Sequence, residues 1–262
     1  MRMARLQYQG RRSWLHGLHP LSKLGWLLAI SIGVFVCGQP AYILALLAGI
    51  VAAGMLGGAD LWRSLRGRRL LVVSTLGLFA LQAIFYHEGE VLFHLWPFAR
   101  PRIPITDMGI GRGVVISGRF LVIVLSSQLF ILITDPSDLA YALMQSGLPY
   151  RYGFALVTAL RMVPVFEGEA TTIYYAQLTR GIRYDTGGLR RAYRLLRQFM
   201  LPLLVSALRK VDALAVSMEG RHFGRYRTRT YLTPLRPSRS DRLSWIALLA
   251  FIAATIWLRV TG

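Results

Sequence analysis

The stretch VVISGRFLVIVLSSQLFILI, Val114 to Ile133, decides the class of this protein. Apart from Arg119 it carries no charge, and it has the roughly 20 residues a helix needs to cross a hydrocarbon layer. Arg119, about two turns in, is costly in lipid and is expected to face protein or water. Four further apolar stretches, Leu24 to Val36, Ala41 to Leu56, Leu70 to Tyr86 and Leu243 to Leu258, complete a pattern of five spans, the first three somewhat short. Composition agrees. Of 262 residues, 54% are hydrophobic and 16% charged, against about 25% charged in average soluble domains. The expected class is an all-α polytopic membrane protein, with four spans in residues 1–133, a helical region at 134–242 and a last span at 243–262.

A formal charge of +19 raises nucleic acid as a partner, but the distribution of the 31 basic residues explains it better. Arg2, Arg5, Arg11, Arg12 and Lys23 precede the first span, and Arg63, Arg66, Arg68 and Arg69 lie between the second and third. Seventeen more lie between the fourth and fifth, whereas the opposite loops are poor in them, although Arg100, Arg102 and Arg112 weaken the contrast. The positive-inside rule then places the N-terminus and residues 134–242 in the cytoplasm and the C-terminus outside. The charge reads as topology plus attraction to anionic lipid. Residues 221–231, where arginines alternate with Phe223, Tyr226 and Tyr231, have the look of a single-strand binder. Beside a span they meet headgroups instead, so no nucleic-acid partner is expected. No compact apolar run with a small-residue cleavage site precedes Leu24, so the first span is expected to stay. Cys37 is the only cysteine, which excludes an intrachain disulfide and a cysteine-based zinc site.

Gly38, Gln39 and Pro40 break the first long apolar run into a tight helical hairpin. Residues 96–113, rich in proline and glycine, are expected to form an external loop with an interfacial turn around Trp96 and Phe98. The 134–242 segment is too long for a connector and must hold helices. Asp135, Pro136 and Asp138 open a short one that Gly147, Leu148 and Pro149 end. A second is expected from about Tyr152 to Arg180, kinked at Pro164, and a third from about Leu189 to Glu219, broken or bent at Pro202. On the third, Leu196, Met200, Leu203, Ala207, Val211, Leu214 and Met218 recur at spacings of 4, 3, 4, 4, 3 and 4, one apolar stripe suited to a neighbouring long helix.

The two long helices end alike. Thr179, Arg180 and Gly181 close one, and Gly220, Arg221 and His222 the other, the arginines 41 positions apart. An arginine beside a helix C-terminus complements the dipole, and a neighbouring glycine lets the chain turn so that the guanidinium projects.

Here the sequence resembles a family. Leu18-His19-Pro20-Leu21-Ser22-Lys23-Leu24 is similar to the signature that opens the T components of energy-coupling factor transporters, the EcfT/CbiQ/BioN family. Gly147-Leu148-Pro149, Ala159-Leu160-Arg161-Met162-Val163-Pro164, Glu169 and Ala176-Gln177 to Arg180-Gly181 resemble its central block in order and spacing. Leu201-Pro202-Leu203 and Ser217-Met218-Glu219-Gly220-Arg221 resemble its last block. The likeness runs from about residue 15 to 224. It implies a non-catalytic coupling subunit of an ABC-type importer in the bacterial inner membrane. Such a subunit joins two cytoplasmic ATPase subunits, identical or paralogous, to a small S component that binds a vitamin or transition-metal ion. In that family the two coupling helices cross and their arginines enter ATPase grooves, which implies Arg180 and Arg221 here. A planar guanidinium can grip a groove in two places where lysine cannot. Two positions depart from the pattern. His19 replaces the usual Asp, which leaves the cap there open, and His222 follows Arg221 where Gly is usual, which is expected to stiffen the turn.

No cofactor is expected in this chain. Its only lysines, Lys23 and Lys210, do not follow glycine, so there is no Walker A loop, and ATP and magnesium belong to the partner ATPases. A membrane-embedded transferase or hydrolase is the alternative, and it would need clustered acid, base or metal ligands. Of the candidates, His16 and His19 lack a nearby carboxylate, and His87, Glu88 and Glu90 sit in an outer loop. Ala29 with Gly33, and Gly49 with Ala53, offer small-residue surfaces on which a membrane partner could dock.

Overall fold

The computed structural model describes residues 17–58, 69–86, 91–94, 104–182, 188–225 and 238–261. Among these residues eight helices follow in order: α1 (Pro20–Val36), α2 (Pro40–Leu56), α3 (Arg69–Phe85), α4 (Asp107–Ile133), α5 (Pro136–Gln145), α6 (Tyr150–Thr179), α7 (Leu189–Gly220) and α8 (Arg239–Thr261). All five apolar stretches are helical, as the sequence implies. The first three helices have 17 residues each, roughly 25 Å at 1.5 Å per residue, and α4 and α8 are long enough to cross a membrane. A short antiparallel hairpin pairs β1 (Val91–His94), just before the expected external loop, with β2 (Pro104–Thr106) inside it, and residues 107–113, expected in that loop, instead form the first turns of α4. The turn expected around Trp96 and Phe98 falls outside the described residues.

The chain divides into two compact units, residues 1–143 with 235–262, and residues 144–234. In the first, α4 is the hub, packed against α1, α2 and α3, and α8 lies along α1. Its core joins Val34 of α1, Ile43 and Ile50 of α2, and Val115, Val122 and Leu125 of α4. Close approach is made possible by missing side chains. A Cβ on Gly118 would stand 2.6 Å from Cγ2 of the fully buried Ile43. One on Gly33 would stand 2.7 Å from the Tyr42 hydroxyl, with Phe251 and Thr255 of α8 just behind. The Ala29 and Gly33 surface is therefore spent inside the unit and is not free for a partner. Gly49 meets nothing, so the Gly49 and Ala53 side of α2 stays open.

Polar bonds tie α8 to α1 and α2. Trp26 Nε1 donates to Ser244 Oγ (2.9 Å), Cys37 Sγ to the Thr255 carbonyl (3.3 Å), and the Tyr42 and Thr255 hydroxyls share a bond of 2.9 Å. Arg119 faces protein: its guanidinium lies 6.0 Å from the Phe35 ring centre and close beside Gly38 in the α1–α2 turn.

Where α1 and α8 begin and α4 ends, a buried polar knot fastens the unit. Asp241, 2% exposed, accepts the His19 N–H at 2.6 Å and the Ser238 N–H at 2.7 Å. Lys23 Nζ donates to the Ile133 carbonyl at 2.8 Å, which satisfies a terminal carbonyl of α4. The cap left open at His19 is filled, because its Nδ1 accepts the Leu21 N–H at 3.3 Å. Asp135 opens α5 as expected, accepting the Ser137 N–H at 2.7 Å. Asp138, one turn on, has its carboxyl pushed up by burial and then by the Asp135 carboxylate, against the pull of Lys23.

Asp241→Ala leaves the His19 and Ser238 N–H groups, one half-buried and one exposed, without their charged acceptor, so the first unit should lose about 1–3 kcal/mol. Asp241→Asn keeps one acceptor oxygen and should lose less. Thermal unfolding of the detergent-solubilised protein checks both, and an unchanged midpoint for the alanine variant would remove the knot from the account.

Candidate functional site

In the second unit α6 and α7 pair antiparallel, and residues 146–149 form the elbow that leads from α5 into α6. Gly147 has φ +118, a left-handed backbone that suits glycine, and Pro149 stands at the N-cap of α6. A Cβ on Gly153 would stand 2.0 Å from Met144 Cγ, so only glycine lets the last turn of α5 seat on the first turn of α6. Pro164 and Pro202 lie within α6 and α7 without breaking either helix.

Three contacts fix the register of α6 and α7. Gln177 Nε2 donates to the Gln198 carbonyl at 3.4 Å, Glu169 meets Lys210 Nζ at 2.7 Å, and the Phe154 ring lies 4.6 Å from that of Phe223. Residue numbers rise along one helix as they fall along the other. The Lys210 ammonium and then the Ser206 hydroxyl hold the Glu169 carboxyl below the ordinary glutamate range. Half-buried positions on α7 are Leu195, Phe199, Pro202, Leu203, Ser206, Ala207, Lys210, Leu214 and Met218. Of the stripe read from sequence, Leu203, Ala207, Leu214 and Met218 lie on this seam, whereas Leu196, Met200 and Val211 are exposed beside it.

The two helix ends share one geometry. At the end of α6, Arg180 is the cap residue with φ −80 and ψ 7, and Gly181 turns left-handed at φ +82. The Gly181 N–H donates to the Leu178 carbonyl at 3.0 Å and the Ile182 N–H to the Gln177 carbonyl at 3.1 Å. At the end of α7, Arg221 is the cap with φ −94 and ψ 12, and His222 turns left-handed at φ +56. The His222 N–H donates to the Glu219 carbonyl at 2.9 Å and the Phe223 N–H to the Met218 carbonyl at 2.9 Å. This is the paired-bond Schellman stop at both ends. Thr179 turns its hydroxyl back to the Ala176 carbonyl at 2.9 Å, and Gly220, the last helical residue, has open space around it.

Both arginines are exposed, and among the described residues neither takes part in an ion pair. Because the hairpin is antiparallel, the two ends lie at its opposite extremes. The register puts them roughly 36 Å apart along the axis at 1.5 Å per residue. Each end is a guanidinium projecting from a rigid turn, able to enter a groove that offers carboxylate or carbonyl oxygens. Among the described residues no three His, Cys, Asp or Glu side chains come together. His16, His87, Glu88 and Glu90 lie outside the described residues.

The left-handed turns are separable by substitution. Gly181→Val forces a branched side chain into that conformation at a cost of about 1–2 kcal/mol, which should speed exchange of the Ile182 amide by roughly tenfold or more. His222→Gly relieves the same strain and should slow exchange of the Phe223 amide. Equal exchange in parent and variants would show that these turns are not held as described.

The chain matches the cobalt transport protein family, CbiQ, over residues 11–232. It is 28% identical to the energy-coupling factor transporter transmembrane protein EcfT of Acidaminococcus fermentans, covering 97% of this chain and 95% of that one. The same named protein from Heliobacterium modesticaldum is 31% identical, with 96% of each chain covered, and that from Streptococcus thermophilus is 30% identical with 91% of each. Family match, relatives and the five apolar helices agree: the chain belongs to the CbiQ family and is a membrane-embedded T component of an energy-coupling factor transporter.

Proposed function

We propose that this T component couples two cytoplasmic ABC-type ATPase subunits to a small substrate-binding S component, using Arg180 and Arg221 as its two ATPase contacts. The observation that carries the reading is the pair of equivalent helix ends at opposite extremes of one antiparallel hairpin. Two like plugs held well apart suit two like sockets on separate subunits. An exposed arginine is also a residue that dominates interface energy once its charge is matched.

In the mechanism that follows, ATP binding draws the two ATPase subunits together and the gripped helix ends move with them. The hairpin of α6 and α7 passes that motion along the chain through α5 to the spans, and the S component reorients to release its substrate inward. This is rigid-body transmission through packed helices. The chain supplies no ATP site of its own, so ATP and magnesium are held by the partners. The substrate, a vitamin or a transition-metal ion, is chosen by the S component. That subunit meets open apolar surface in the membrane, of the kind shown by the Gly49 and Ala53 side of α2 and by α3, where Leu70, Val73 and Leu76 are exposed. The protein sits in the bacterial inner membrane as a multi-pass chain with its N-terminus and α5 to α7 in the cytoplasm, as its basic residues direct.

Gentle solubilisation from native membranes, capture of the tagged chain and mass spectrometry should recover ABC-type ATPases and a small hydrophobic partner. Arg180→Glu and Arg221→Glu should each weaken ATPase capture about 30-fold, the scale of losing a hot-spot arginine, and together abolish ATP-driven uptake. Normal assembly and uptake in the double variant would sink the assignment of these arginines.

A further inference from the structure

Among the described residues, the two arginine ends share a backbone but not a support. Two residues beyond Arg221, the Phe223 ring lies 4.6 Å from Phe154 and 6.2 Å from Tyr150, and those two rings are stacked at 5.8 Å. Tyr150 and Phe154 occupy the first turn of α6, immediately after Pro149 and flanking the Gly153 seat of Met144. The Phe223 backbone is itself fixed by its bond to the Met218 carbonyl, and the Arg225 N–H donates onward to the His222 carbonyl at 3.3 Å. The turn that presents Arg221 is thus clasped to the elbow between α5 and α6. At the other end the equivalent position is Ile182, an aliphatic residue, and among the described residues the turn is held by its backbone bonds, with Gln177 bonded to Gln198 three residues before Arg180.

We propose that Phe223 is a positioning residue: with Tyr150 and Phe154 it clamps the Arg221 turn onto the α5–α6 elbow, so that movement of the ATPase subunit gripping Arg221 reaches the elbow directly. The inference rests on the coupling role proposed above and makes the two arginine contacts unequal. A push on Arg221 is delivered at the elbow, where the chain leads back through α5 to the end of α4. A push on Arg180 must travel the length of α6, past Pro164, before it arrives there. Aromatic rings suit such a clamp because tilted pairs fix orientation as well as burying area.

The test uses the complete complex in proteoliposomes, with the ATPase pair and the S component. Phe223→Ala should still recover both ATPases at the parental ratio, while uptake falls roughly 2- to 30-fold, the range for residues that modulate coupling without touching ligand. ATP consumed per substrate imported should rise, and Phe223→Tyr, which keeps a ring, should restore the parental value. Phe223→Leu replaces the alanine variant if that chain does not accumulate. Parental uptake and stoichiometry in Phe223→Ala or Phe223→Leu overturns the clamp, as does loss of ATPase capture equal to that of Arg221→Glu, or failure of tyrosine to rescue. Arg221→Glu is measured alongside. If it too assembles and transports normally, the arginine assignment has failed rather than the clamp alone.

Discussion

Helices in a bilayer gain little from hiding apolar surface from one another, because the lipid is as apolar as they are. Association depends on how closely backbones approach and on polar bonds made between them. The first unit follows that constraint. Gly118 admits Ile43 from α2, Gly33 admits the edge of Tyr42 and the α8 side chains behind it, and α8 is sewn to α1 and α2 by Trp26 with Ser244 and by Cys37 and Tyr42 with Thr255. The knot of His19, Lys23 and Asp241 gathers the starts of α1 and α8 and the finish of α4 at one end of the unit. Lipid-facing sides are left crowded with exposed Leu, Val, Ile and Phe, as such a protein requires.

The second unit obeys a different rule. Its two long helices are joined along a seam that includes an ion pair, Glu169 with Lys210, and leaves Leu196, Met200 and Val211 outside it. A hairpin with that much apolar surface uncovered belongs in an assembly. Antiparallel pairing also settles a geometric question. Two helices running the same way would present both arginine ends on one side, whereas this pairing sends them to opposite extremes.

Much of this was legible in the residues. The five apolar helices follow from run length and charge alone, the elbow from Gly147, Leu148 and Pro149, and the stops of α6 and α7 from glycine and arginine near residues 180 and 221. The seam was less legible. Period counting favoured Leu196, Met200 and Val211, but the helix turns its half-buried side through Leu195, Phe199 and Lys210, one residue earlier at each level. Lys210 was invisible to an apolar pattern because its place there depends on Glu169, 41 positions away in sequence. The same limit hid the use of Gly33. Small residues announce close approach, but which helix approaches is a matter of tertiary contact. The β-hairpin escaped because its strands are only four and three residues long and are bounded by prolines.

The contrast between Gly181 and His222 carries the argument one step further. Both occupy the left-handed position after a capping arginine, where glycine is free of strain and histidine is not. A strained residue persists only where its surroundings over-determine it. Around His222 they do, since its own N–H and that of Phe223 are both bonded back into α7 and the Phe223 ring is packed against α6. At Gly181 no ring among the described residues gives that support, and glycine needs none. Each turn thus carries the side chain its anchorage permits. The loss of glycine at position 222 and the aromatic ring at 223 are two parts of one local solution, in which backbone freedom has been exchanged for external support.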